Sequence, residues 1–154
     1  MPVSDRQLAY FLLRFTLGVS IFFHGVTRLP HLGTFANTIV KQFAHTPLPA
    51  FLVRQFAVSV AIVEAVTGFL LITGCCTRWA LIIGILAMAS FIFGNSLIAD
   101  FPTVAIDLTY AAIYAVLLAG LEYNSISVDN TLFKRSKPIT ENSWLDGSVL
   151  VVIS

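Results

Sequence analysis

The chain has 154 residues, of which 57% are hydrophobic and only 11% charged, with a net charge of +1. Soluble domains carry about 25% charged residues, so this composition excludes an ordinary water-soluble domain. The near-neutral balance also excludes nucleic-acid binding by bulk electrostatics.

The N-terminal MPVSDRQLAY has no basic start, short apolar core or small-residue cleavage site, so the first apolar run is expected to stay in the membrane. Four segments approach the ~20 residues that a helix needs to cross a ~30 Å hydrocarbon core. They run from about Leu8 to Val26, Phe51 to Thr73, Trp79 to Ala99 and Val104 to Leu121. Helix is the expected form, because lipid offers the backbone no hydrogen-bond partners. The fold class is therefore an all-α membrane protein, a four-transmembrane-helix bundle. The long first connection carries Pro30, Pro47 and Pro49. Its middle, Thr34 to Ala44, places Phe35, Ile39, Val40 and Phe43 at helical spacing and predicts a short interfacial helix. A tight GCCTR turn, Gly74 to Arg78, joins the second and third spans, with Trp79 as an interface anchor. Asp100-Phe101-Pro102 joins the third and fourth. The membrane domain is read as residues 1–122. Residues 123–154 are read as a polar tail that docks a partner, with Val149 to Ile153 as a strand or docking segment.

Four spans put both termini on the side of the Gly74–Arg78 turn. That side carries Arg6, Arg78, Lys134, Arg135 and Lys137, against Arg28, Lys41 and Arg54 on the other. The basic excess predicts cytoplasmic termini and an inner (plasma) membrane location.

Glu64 stands inside the second apolar run. An ionised carboxylate at that depth costs several kcal/mol unless it is paired, hydrated or protonated. At 1.5 Å per residue Arg14 lies roughly 10 Å into its span and Glu64 roughly 15 Å into its own. Two long side chains bridge such a gap, which predicts an Arg14–Glu64 pair between the first and second spans. Ala57, Ala61 and Gly68 share the face of Glu64, and Gly18 lies one turn from Arg14; small residues let helices approach closely. Such a pair either holds the bundle together or forms a site in which Glu64 relays a proton and Arg14 binds an anionic or quinone-like ligand.

A second polar group gathers near the opposite side. His24 and Arg28 end the first span, Asn95 lies late in the third, and Asp107 lies about one turn into the fourth. Tyr110 and Tyr114 follow Asp107 on one helix face. These residues suit a shallow pocket for a quinone head group, with His24 and Asp107 handling protons. Lipid and water satisfying each group singly is the plainer account, and the better one for Arg28 and Tyr114. Cys75 and Cys76 read as two small turn residues, because adjacent cysteines rarely form a relaxed disulfide. No metal-ligand spacing, phosphate loop or haem-attachment motif is present in the sequence.

The order of these residues resembles the DoxX family of small four-helix membrane proteins. The matching features are Arg14, Gly18, Phe22, His24-Gly25 and Arg28-Leu29, then Phe35 with Pro47 or Pro49. Glu64, Gly68, Phe69-Leu70-Leu71, Gly74, Thr77-Arg78 and Met88 follow. The resemblance covers about Arg6 to Leu121. Arg28 stands where lysine is common in the family, and Thr67 where a second glycine is common. The family includes the DoxD-type subunit of thiosulfate:quinone oxidoreductase. The resemblance thus implies a subunit of a quinone-linked oxidoreductase system, with no covalent cofactor of its own, a bound quinone, and partner subunits in the membrane. From the polar residues at membrane depth, and not from the resemblance, Glu64 and Asp107 are the expected catalytic residues, and Arg14, His24, Arg28, Asn95 and Tyr110 the expected ligand-binding ones. The alternative is a non-catalytic accessory subunit of a larger membrane complex. A small-solute carrier is disfavoured, since no inverted repeat or mid-span break is visible.

Overall fold

Ser4 begins the first helix by accepting from the backbone N–H of Gln7, while the Gln7 side chain accepts from the Ser4 N–H. This reciprocal cap satisfies two otherwise orphaned donors. In the computed structural model, which describes residues 3–132, helix α1 then runs Asp5–Arg28. A single 3₁₀ turn carrying Pro30 leads into α2, Leu32–Gln42. Pro49 precedes α3, Ala50–Thr73, and Gly74 ends it in the left-handed conformation at φ +71°. Helix α4 spans Thr77–Leu97. Asp100 accepts from the Thr103 N–H to start α5, Phe101–Ala119, with Pro102 in its first turn. A short α6, Val128–Leu132, follows. No strand occurs among the described residues.

The four long helices, α1, α3, α4 and α5, are each long and apolar enough to cross a membrane. The protein is an all-helical, four-span bundle, and α2 is the short amphipathic helix expected between the first two spans. The residues 149–153 read as a strand or docking segment lie outside the described residues.

The surface is the inverse of a soluble protein's. Phe23, Ile62, Val66, Phe69, Trp79, Leu86, Phe93, Ile106 and Val116 are exposed, while Arg14, Glu64, Thr67 and Asp107 are buried. On α3 the buried residues Val53, Ala57, Val60, Ala61, Glu64, Thr67, Gly68 and Leu71 recur at three and four, so one stripe packs inward and the other faces acyl chains.

Helix α1 packs chiefly on α3, and α4 on α5; α3 and α4 share a smaller interface. The α1/α3 seam is held by glycine. A Cβ on Gly25 would strike the backbone of Ala61 and Ala65, and one on Gly68 would strike the backbone of Phe22. Gly18 meets Gly68, Leu71 and Ile72 in the same way. These contacts set the antiparallel register of the two helices, and the register decides which polar groups meet.

Candidate functional site

The register puts Gly25 level with Ala61 and Ala65. Helical side chains lean toward the N-terminus of their own helix. Arg28 therefore leans back toward Gly25, and Glu64, on the antiparallel α3, leans the opposite way to meet it. Their side chains form a charge-assisted hydrogen bond between Arg28 Nη1 and Glu64 Oε2. Arg14 leans away from Glu64, toward the other end of α3, and reaches Gly74. The expected Arg14–Glu64 pair is thus overturned: Arg28 is the mate of Glu64. Glu64 is almost wholly covered, at 5% side-chain exposure, against 29% for Arg28. The guanidinium also lies over the ring of Phe35 from α2, 4.9 Å from its centroid, a cation–π contact. The short interfacial helix therefore supports the ion pair.

This pair lines a cavity of about 910 Å³ bounded by all four spans and α2. Its polar lining includes His24, Arg28, Glu64, Asn95, Asp107 and Tyr110, with Gln42, Ser90, Asp100 and Thr103 besides; Phe35, Ile39, Phe43, Leu52, Phe56 and Phe91 are among its apolar walls. Asn95 donates through Nδ2 to Asp107 at 2.8 Å, tying α4 to α5. The Tyr110 hydroxyl and Ser20 Oγ share a hydrogen bond of 3.1 Å, tying α5 to α1. His24 donates from Nδ1 to the Ser20 carbonyl at 2.7 Å. In a neutral ring this leaves Nε2 as the acceptor nitrogen. The ring also meets Tyr110 edge-on, with centroids 6.4 Å apart.

Of the residues singled out in the sequence, His24, Arg28, Glu64, Asn95, Asp107 and Tyr110 come together in this cavity wall. Arg14 does not line it. Tyr114 does not either; it is fully buried against Gly84, one turn below Tyr110. Ser20 has no signal in the sequence beyond lying one turn before His24, and Phe35 reads there as an apolar position of the short helix and a feature of the DoxX resemblance, with nothing that pairs it with Arg28.

Arg14 belongs to a separate polar cluster at the opposite end. It is 1% exposed and donates from Nη2 to the Ile126 carbonyl at 2.7 Å. Its Nε and Nη1 have no hydrogen-bond partner among the described residues. Residues 123–132 therefore fold back under the bundle, and Asn124 donates to Thr77 Oγ1 at 3.1 Å. Asp129 accepts from the backbone N–H groups of Cys76 at 2.6 Å and Thr77 at 2.8 Å, capping α4 from 52 residues away in sequence. The hydrogen bond to Cys76, partial burial, the neighbouring thiol and Asp129 together hold the Cys75 thiol above its ordinary range.

Replacing Arg14 with Met removes a buried cation that has a single hydrogen bond while keeping its packing volume. The expected result is a bundle of unchanged helicity whose 121–132 segment is released. Limited proteolysis should then cut near residues 124–130 at least tenfold faster than in wild type, for about 1.4 kcal/mol or more of lost docking.

Fold and site together define a class: a four-span helical membrane protein with a polar, ion-paired cavity between its helices. The DoxX family model matches residues 9–96, more than half of the chain, and the chain belongs to the DoxX family. The match takes in Arg28, Glu64 and Asn95 and stops before Asp107 and Tyr110 on α5. No curated protein and no solved structure matches the chain.

Proposed function

We propose that this protein is the membrane subunit of a quinone-linked oxidoreductase system in an inner membrane, and that the cavity between α2 and the four spans takes the quinone. The observation that carries the reading is the Arg28–Glu64 pair set in the wall of a largely apolar cavity. A cavity of this size falls within the range of about 300–1,000 Å³ typical of small-molecule sites. Its polar end suits a head group with carbonyl oxygens, and its aromatic walls suit a long hydrocarbon chain entering from lipid.

When bound, a quinone supplies the two-electron couple, and the electrons come from a partner subunit carrying a redox centre. The residues of this chain bind, orient and move protons. Arg28 and the Tyr110 hydroxyl are donors for head-group oxygens. Of the three carboxylates lining the cavity, Asp100 is taken up by the cap on Thr103, whereas Glu64 and Asp107 are oriented toward it by Arg28 and by Asn95. The acceptor nitrogen of His24 offers a further proton-holding site on the same wall.

Extraction in a mild detergent followed by mass spectrometry of the bound lipids tests the reading. Wild-type protein is expected to retain quinone near one equivalent, and Glu64→Gln and Asp107→Asn to retain at least tenfold less at unchanged helicity. Wild type free of quinone, or variants that retain it fully, would overturn the reading and leave the non-catalytic accessory role.

A further inference from the structure

The turn between α3 and α4 carries the thiols of Cys75 and Cys76, and the fold brings Asp129 to them from α6. Both cysteines are free, and Cys76 is exposed. The two sulfurs and a carboxylate oxygen of Asp129 all lie within 4.8 Å of one another. The carboxylate is held in place by three backbone bonds: it accepts from the N–H groups of Cys76 and Thr77, and the Asp129 N–H donates to the Gly74 carbonyl at 3.0 Å. Each carboxylate oxygen accepts one of those bonds and keeps a second lone pair.

We infer that Cys75, Cys76 and Asp129 form a binding site for a thiophilic d¹⁰ metal ion of the zinc and cadmium class. Two thiolates and one carboxylate are a ligand set that such ions favour, with solvent completing a tetrahedron at the exposed Cys76 edge. Tetrahedral geometry at a metal–sulfur distance of about 2.3 Å requires sulfurs roughly 3.8 Å apart. The sulfurs already lie within 4.8 Å of each other, so the closure needed is at most about 1 Å. Binding displaces the two thiol protons to solvent and changes no oxidation state. The consequence is mechanical: the ion ties the segment after α5 to the α3–α4 turn, at the opposite end of the bundle from the cavity. This site is independent of the quinone reading.

The test is a titration of purified, reduced protein with cadmium, read by the ultraviolet thiolate-to-cadmium charge-transfer band. Wild type is expected to saturate at one equivalent, with the band removed by excess zinc. Cys75→Ser and Cys76→Ser should each lose about half of the band and bind at least tenfold more weakly. Asp129→Asn should keep both thiolates but also bind about tenfold more weakly or worse, the scale set by groups that support metal ligands. Asp129 also caps α4, so the cysteine variants, which disturb no recorded backbone bond, provide an arm free of that second role. A wild type with no saturable band overturns the site. So does unchanged affinity after removal of either sulfur, or of the carboxylate.

Discussion

Replacing Arg28 with Gln is expected to destabilise the bundle by about 3 kcal/mol, while Glu64→Gln costs about 1 kcal/mol. The asymmetry follows from exposure. Glu64 is 5% exposed and Arg28 29%. Losing the guanidinium strands a carboxylate that water barely reaches, and breaking a buried pair in this way typically costs about 3–5 kcal/mol. Losing the carboxylate leaves a guanidinium that still reaches solvent and the Phe35 ring. The double variant, Arg28→Gln with Glu64→Gln, should recover most of the loss, because neither charge is then left unpaired. Unfolding of the four proteins in detergent, analysed as a double-mutant cycle, gives the coupling energy. Equal effects of the two single changes, or strict additivity, would show that the pair has no energetic role.

Gly25→Ala should cost about 3 kcal/mol, at the upper end of what overpacking normally does. The added methyl group would meet the Ala61 carbonyl and the Ala65 backbone, which cannot rotate aside as a side chain can. Helices α1 and α3 must then separate or slide, and either motion draws Arg28 away from Glu64. Loss of quinone retention should accompany loss of stability in this variant. Gly33→Ala on α2 is the control. Beyond its own turn of helix backbone, no atom lies within 4 Å of the Cβ it would gain, and alanine is the better helix former by about 1 kcal/mol. It should be neutral or stabilising. Thermal unfolding of both variants under one detergent condition separates packing from propensity, and a Gly25→Ala protein as stable as wild type would refute the close-packed seam.

The glycine seam also explains why the sequence alone points to the wrong partner for Glu64. Depth counted from the nominal ends of each span brings Arg14 and Glu64 within about 5 Å along the membrane normal. Helix α1 continues to Arg28, beyond the expected end of the first span. The spacing of Gly18 and Gly25 against Ala61, Ala65 and Gly68 carried the missing signal. Read as an antiparallel seam, it places Arg28 near Glu64 and Arg14 near Gly74. The lean of each side chain toward its own helix N-terminus then completes the first pair and rules out the alternative.

Other features were legible in different degrees. The grouping of His24, Asn95, Asp107 and Tyr110 could be read because span direction alternates along the chain: the C-terminal parts of the first and third spans and the N-terminal part of the fourth lie toward one membrane face. The approach of Asp129 to Cys75 and Cys76 left no such trace. A short polar segment after the last span has no hydrophobic period to betray where it docks. The bonds of Arg14 and Asp129 that hold it, unlike the side-chain bond between Asn124 and Thr77, run to backbone N–H and C=O groups that any sequence carries.

Local apolar runs of membrane length were enough by themselves to determine four helices and their order, because lipid forces each run to satisfy its own backbone. The spacing of Phe35, Ile39, Val40 and Phe43 determined the short amphipathic helix, and ordered polar and glycine residues such as Arg14, His24-Gly25, Glu64 and Gly68 carried the DoxX resemblance. Which cation meets Glu64, where the cavity opens between the helix pairs and how the chain after α5 returns to the turn were decided only in three dimensions. Those outcomes depend on helix register and side-chain direction, which glycine contacts between distant segments set to within a single turn.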